Sequence, residues 1–307
     1  MEIAHLELLR ELADRGSVTE VARVTGKTTS AVSQQLRLLQ RDVGAVLVER
    51  SGRGVRLTDA GLALARAGTR VAVAVAEAEA EWQRYRRTAT GTVRLAMFHS
   101  AGEILIPGLL ARMTGYPAID LITDEHEAGE KEFAPLTADF DIVIAHCADD
   151  GVEPERSRLN VLHLLREPVD VAVPLSHPLA TREHVSAAEV IDEPWIAFPE
   201  KFSLGRILTA MATQAGRPAN VLVRSTHLPL IEKLVAQGRG VALLPRHSSG
   251  ERAPGRFALL PLTGVRAGRC LEALSRPDRA ARQAVRLVRD ALLAEAREVG
   301  KSSVSAA

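Results

Sequence analysis

Between Val21 and Thr58 the chain carries seven basic side chains, Arg23, Lys27, Arg37, Arg41, Arg50, Arg53 and Arg56, against two acidic ones, Asp42 and Glu49. The whole chain of 307 residues has a formal net charge of only +1, so this positive charge is local. Short polar side chains lie among the basic ones: Thr28, Thr29, Ser30, Ser33 and Gln34. Guanidinium and ammonium groups attract phosphates, which supplies the sequence-independent part of binding to a polyanion. Hydroxyl and amide groups on short side chains can read donors and acceptors on base edges. The two sets together suit a nucleic acid. A merely solvated face uses the same residue types, so the elements that carry them must decide.

The remaining chemistry-bearing residues are more scattered. No P-loop, G-x-S-x-G or H-E-x-x-H motif is present, which leaves no residue set arguing for an enzyme. The two cysteines, Cys147 and Cys270, form neither a disulfide framework nor a zinc-type Cys/His spacing. His146 beside Cys147 is an isolated pair. The acidic run Asp124-Glu125-His126-Glu127, with Glu130 and Glu132, reads as a solvated loop rather than a metal site.

Elements that position the basic stretch follow from local signals. Ile3, Leu6, Leu9, Leu12 and Ala13 recur at helical spacing, and Gly16 ends that helix. Ser17 with Glu20 three residues on fits a capping box for a second, short helix. Gly26 supplies the turn and Thr28 an N-cap for a third helix, which turns Ala31, Val32, Leu36 and Leu39 inward and Thr29, Ser30, Ser33, Gln34 and Arg37 outward. Two short helices about a glycine turn are a helix-turn-helix pattern. Residues 46–50 and 55–57, around a Gly-rich turn, read as a β-hairpin, that is, a wing. Thr58 then caps a long alanine-rich helix to about residue 87. Along it Leu64, Gly68, Val71, Val75, Ala78, Trp82 and Tyr85 form a heptad seam suited to a second copy of the same helix.

Beyond residue 91 the pattern changes to short strands alternating with helices. Strands are expected near 93–98, 119–122, 141–145, 169–174, 195–198, 221–223 and 241–245, with helices near 102–113, 204–215, 228–237 and 279–298. Alternation of this kind implies α/β units with largely parallel sheets. Aromatic residues are only 3% of the chain, so the cores must rest on Leu, Val, Ile and Ala. The N-terminus lacks the pattern of a signal peptide and no apolar run reaches membrane-spanning length, so a cytoplasmic protein is expected.

Residues 6–61 resemble the DNA-binding domain of LysR-type transcriptional regulators. The resemblance is carried by Gly16-Ser17-Val18-Thr19, Val21-Ala22, Ser30-Ala31-Val32-Ser33-Gln34-Gln35-Leu36, then Leu39, Gly44, Leu47, Arg50, Arg53 and Leu57-Thr58-Asp59-Ala60-Gly61, without a gap. The chain departs from the family where Thr28-Thr29-Ser30 opens the third helix, and at Thr25 and Gln40, so a base preference does not carry over. The resemblance implies a winged helix-turn-helix over residues 1–60, a linker and dimerisation helix over 61–89, and a two-lobed α/β effector domain like a periplasmic binding protein. Lobe I would take residues 91–165 and 266–298, lobe II 166–265, with a disordered tail at 299–307. It also implies double-stranded DNA, a second copy of the chain, a small-molecule effector and RNA polymerase as partners, with no resident cofactor or metal.

Under that reading Thr28, Thr29, Ser30, Ser33, Gln34, Arg37, Arg50 and Arg53 are the expected DNA contacts, with Arg53 reaching into the minor groove. In open α/β sheets ligands sit beyond the carboxyl ends of strands. That rule selects Ser100, His146, Phe202, Thr226 and His227 as effector contacts, although Ser100 and Thr226 would equally serve as helix caps and Phe202 as core.

Overall fold

The computed structural model describes residues 2–51, 54–149 and 157–304. The N-terminal head holds α1 (Ile3–Arg15), α2 (Val18–Thr25) and α3 (Thr29–Val43), then a hairpin of β1 (Val48–Ser51) and β2 (Gly54–Leu57). The boundaries of α2 and the start of α3 have the local causes expected of them. Ser17 Oγ accepts from Glu20 N–H, and Thr28 Oγ1 from Ala31 N–H. Gly26, at φ 64°, makes the left-handed turn between α2 and α3. The apolar faces of the three helices meet in one core built on Leu9, Leu12, Val21, Val32, Leu39 and Leu47.

From Thr58, whose Oγ1 accepts from Gly61 N–H, α4 (Asp59–Tyr85) leaves the head. Gly61 is there because a Cβ would collide with the Leu47 carbonyl, so α4 crosses the start of the wing at backbone contact. The expected seam on α4 divides. Leu64 and Gly68 pack within the head, Gly68 against Leu6, whereas Val75, Ala78, Trp82 and Tyr85 face outward, with the Trp82 and Tyr85 rings stacked at 5.5 Å.

Lobe I follows with β3 (Gly91–Met97), α5 (His99–Met113), β4 (Ile119–Glu125), a single 3-10 turn at Glu130–Glu132, α6 (Phe133–Leu136) and β5 (Ile142–Ala148). The long β6 (Asn160–Pro174) crosses into lobe II. There the chain forms β7 (Val185–Ser186), α7 (Ala187–Val190), β8 (Pro194–Ala197), α8 (Ser203–Ala215), β9 (Asn220–Arg224), α9 (Leu228–Ala236), β10 (Ala242–Pro245), α10 (Arg246–Gly250) and β11 (Phe257–Thr263). It returns through β12 (Gly268–Ser275) to α11 (Pro277–Ala281) and α12 (Gln283–Val304) on lobe I.

The sheets are mixed rather than largely parallel. β3 pairs with β4 and β5 in parallel, but β12 lies between β5 and β6 antiparallel to both, and β6 is antiparallel to β10 and β11. The physical reason is the double crossing: strands that pass between lobes run against the strands of their own βα units. Each lobe keeps its own core, one around Leu95, Leu105, Ile144 and Val285, the other around Trp195, Met211, Ile231 and Leu244.

Two further expectations change. The helix expected over 279–298 is two helices, because Arg282 is extended (ψ 138°) and spends its guanidinium on Asp141 and the Thr92 carbonyl. The tail expected to be disordered from 299 instead continues α12 to Val304, and only 305–307 lie outside the described residues. No helix among the described residues is long and apolar enough to cross a membrane.

Candidate nucleic-acid interface and ligand cleft

On the head, burying Val32, Leu36 and Leu39 leaves the opposite side of α3 in solvent. Thr28, Thr29, Ser30, Gln34 and Arg37 are exposed and Ser33 is half-buried. Ser30, Gln34, Arg37 and Arg41 line one side of an open groove of about 810 Å³, closed by Gly44, Ala45 and Val46. Ser33, Arg37 and Arg50 line a second recess of about 330 Å³ between α3 and the wing. Five of the eight expected DNA contacts, Ser30, Ser33, Gln34, Arg37 and Arg50, therefore line these two adjoining grooves, while Thr28 and Thr29 are exposed at the start of α3. The eighth, Arg53, lies outside the described residues.

The positive charge on this face is only partly consumed. Arg23 pairs with Glu20 and Arg56 with Glu49, at 2.9 and 2.7 Å. Among the described residues Lys27, Arg41 and Arg50 form no ion pair, and Arg37 Nε donates only to the Ser33 carbonyl. Gln40, where the family pattern has glutamate, accepts from Leu47 and Val48 N–H through Oε1 and so anchors the wing to α3 without adding negative charge.

Where the two lobes of the C-terminal half meet, a cavity of about 20 Å³ is lined by Phe98, Ser100, His146, Phe202, Ser203, Thr226 and Arg269, among others. The N-termini of α5 and α8 converge there, and neither N-cap, Phe98 nor Phe202, offers a capping side chain. Helix N-termini present unpaired N–H groups and partial positive charge, which suits an anion. Ser100 is buried and its Oγ accepts from Arg269 Nη2 at 2.7 Å. Arg269 is in turn held by Glu167, also buried, at 2.6 Å, and its guanidinium lies over the Phe98 ring at 5.0 Å. Ser203 is fully buried, and its Oγ has no hydrogen-bond partner among the described residues.

The His146 ring stands edge-on to Phe98 and Phe133, both at 5.0 Å, and stacks on Phe202 at 6.2 Å. Thus four of the five expected effector residues, Ser100, His146, Phe202 and Thr226, meet at the cavity. Phe202 is core and cleft wall at once. His227 is exposed, caps α9 and is not among the lining residues.

Arg269, Glu167 and Ser203 were not read from sequence. The first two face each other only through the register of β12 on β6, a pairing of residues 102 apart. Ser203 had a usable signal, since Phe202-Ser203 opens α8 much as Phe98-His99-Ser100 opens α5.

The acidic run is solvated as expected at Glu125, Glu127 and Glu132 and also forms ion pairs, whereas Glu130 is buried. His99 pairs with Glu125 at 3.0 Å and its N–H donates to Glu127, while Asp124 lies 3.7 Å from Arg94. The hydrogen bond that the His99 ring donates to Glu125 pushes the His99 pKa above the ordinary histidine value, outweighing its partial burial. Three more pairs reach across the cleft: Arg206 to Glu130 at 2.5 Å, Lys201 to Glu132 at 3.0 Å and Arg252 to Glu103 at 3.1 Å. The two cysteines oppose each other in register on β5 and β12 and do not line the cavity; burial, with Asp149 alongside, pushes the Cys270 thiol up.

Comparison with known proteins agrees with this layout. Residues 3–62 match the family described as bacterial regulatory helix-turn-helix protein, lysR family, and residues 86–297 match the LysR substrate binding domain. The chain is 27% identical over 266 residues to the transcriptional dual regulator GltC of Bacillus subtilis, covering 85% of this chain and 86% of that one. It is 26% identical over 246 residues to the hydrogen peroxide-inducible genes activator of Pectobacterium carotovorum, covering 80% of each. A full-length OxyR variant from Pseudomonas aeruginosa shares the fold, with a TM-score of 0.60 at 19% identity, over 95% of this chain and 94% of that one. With a helix-turn-helix head and a two-lobed substrate-binding half matched in chain order, the protein belongs to the LysR family of DNA-binding transcriptional regulators.

Proposed function

We propose that this regulator reads duplex DNA with the outward side of α3, Thr28, Thr29, Ser30, Ser33, Gln34 and Arg37, while Arg50 and Arg53 of the wing neutralise phosphates. It works in the cytoplasm as a homo-oligomer joined along the outward half of α4, where Val75, Trp82 and Tyr85 have no cover within the chain. It carries no catalytic activity and no resident cofactor, and it signals to RNA polymerase according to the state of the cleft.

The effector is a compact anion, most simply a small carboxylate. The observation that carries this is the buried, unpartnered Ser203 Oγ at one of two converging helix N-termini, beside Ser100 and Arg269. A buried hydroxyl without a partner costs about 1–3 kcal/mol, which an acceptor on a ligand would recover. A cavity of about 20 Å³ holds little more than a water molecule, so a larger guest parts the three cross-cleft ion pairs on entry. Differential affinity for open and closed lobes then gives the effector its leverage.

Calorimetric titration of the full chain with acetate, pyruvate and succinate tests this. Ser203→Ala is expected to weaken binding about tenfold, one charge-assisted hydrogen bond's worth. Equal affinity in wild type and Ser203→Ala for a carboxylate that binds would remove Ser203 from the site.

A further inference from the structure

We propose that the ion-paired seam between α1 and the far end of β12 is a releasable dock for the DNA-binding head, governed from the cleft through β12. This rests on the cleft reading above for its input, but the dock itself stands on separate geometry.

The helix α1 has two faces. Leu8, Leu9 and Leu12 belong to the head's core. Its other side carries Arg10, Glu11, Asp14 and Arg15, and every one of these reaches lobe I. Arg276 Nη1 lies 2.7 Å from Glu11 and 3.1 Å from Asp14, and Arg10 lies 2.7 Å from Asp278. Arg15 bridges Glu11 at 2.9 Å and Asp139 at 3.0 Å, and donates to the Ala138 carbonyl. Arg276 is 5% exposed. Burial disfavours the Glu11 charge, but Arg276 and Arg15 more than reverse this and hold its carboxyl below the usual range.

A joint of this composition is suited to opening. Buried ion pairs fix geometry while adding little net stability, because desolvation offsets their attraction. Domain contacts built from charge rather than apolar surface resemble transient interfaces. The fit is also incomplete: among the described residues Arg10 Nε and Arg276 Nη2 are buried without a hydrogen-bond partner, and Asp278 Oδ1 has only a 3.5 Å ion contact with Arg276 Nε.

The seam is wired to the cleft by one strand. Arg276 is the first residue after β12, and Arg269 is the second residue within it. Seven steps of extended chain separate them by roughly 23 Å. The strand is held on both sides, by β5 and β6, and so moves with the lobe I sheet. One end is fixed by Glu167 and Ser100 in the cleft, the other by Glu11 and Asp14 of the head. A ligand that draws on Arg269 or Ser100 shifts the near end, and packed seams answer small displacements by switching between arrangements rather than by bending.

The test is an intramolecular distance, read without DNA or effector. Spin labels on non-natural residues at Thr19 and Asp290, both exposed, report head-to-lobe separation in full-length chain diluted with unlabelled chain. Wild type is expected to give one narrow distribution. Arg276→Gln and, independently, the paired change Glu11→Gln with Asp14→Asn are each expected to shift most of the population to longer, broader distances. Arg269→Gln and the milder Ser100→Ala, both remote from the head, are expected to raise the released fraction several-fold, whereas the distant surface change Arg182→Gln leaves it unchanged. A distribution unaltered by both seam variants would overturn the dock. Release by the seam variants with none from either cleft variant would overturn the coupling. Failure of the carboxylate titrations would count against the effector reading alone, since no ligand enters this measurement.

Discussion

The head and the cleft use the same residue types under opposite conditions. On α3 the outward threonine, serine, glutamine and arginine side chains are exposed or half-buried, and among the described residues Arg41 there, with Lys27 and Arg50 beside it, forms no ion pair, as a surface awaiting a polyanion requires. In the cleft Ser100, Ser203, Arg269 and Glu167 are buried and, apart from Ser203, satisfied by one another. The head holds charge ready in high dielectric, where it costs little and is screened by salt. The cleft holds charge in low dielectric, where each group is tied to a neighbour and a guest must compete with that neighbour. Removing a charged group should therefore act on binding in the head and on stability in the cleft.

The largest effect expected from this contrast is at Glu167. Glu167→Ala leaves Arg269 buried without its counter-charge, and loss of about 3–5 kcal/mol is expected in urea unfolding of the C-terminal half. Arg50→Ala on the wing should change stability by less than about 0.5 kcal/mol, as a surface substitution away from packed features. Comparable losses from the two would erase the distinction.

A smaller effect tests whether the head depends on local capping. Thr28→Ala removes the hydroxyl that accepts from Ala31 N–H and should cost about 1 kcal/mol, with Thr28→Ser restoring it. A chain that unfolds unchanged with alanine there would show that α3 is held by packing alone.

The smallest effect is in pH. His99 faces Glu125, Glu103 and Glu127 from α5, β4 and the segment after it, with Arg252 beyond Glu103. Its folded pKa is raised, so its contribution is complete below the unfolded value near 6.5 and is lost as pH rises through the folded one. Melting curves of wild type and His99→Gln should therefore converge as pH rises above the ordinary histidine value of about 6.5. A gap that widens as pH rises would reverse the assignment.

The same contrast explains what the sequence could disclose. The boundaries of α2 and the start of α3 have their causes within a few residues: Ser17, Gly26 and Thr28 act on their immediate neighbours. In the cleft Ser100, Phe202 and Thr226 follow from the rule that sites lie beyond strand ends, whereas His146, expected at a strand end, lies within β5, which runs on to Ala148. Arg269 and Glu167 do not, because they meet through antiparallel strands that a simple alternation of strands and helices does not announce. The break at Arg282 was hidden for a similar reason: its side chain is claimed by Asp141 and the Thr92 carbonyl, far back in the chain. The seam on α4 was legible as a stripe, but not that its first part packs on Leu6 while its second part faces outward.

The central claim is that the outward side of α3 reads DNA while neighbouring arginines neutralise phosphates. Fluorescence anisotropy with the chain's own upstream DNA and a scrambled duplex, across a salt series, measures both parts at once. Arg50→Ala should weaken both duplexes alike and reduce the log–log salt slope by about one, while Gln34→Ala should weaken the upstream duplex selectively with the slope unchanged. Folded protein that binds neither duplex at low ionic strength, or variants that leave affinity and slope as in wild type, would contradict the account.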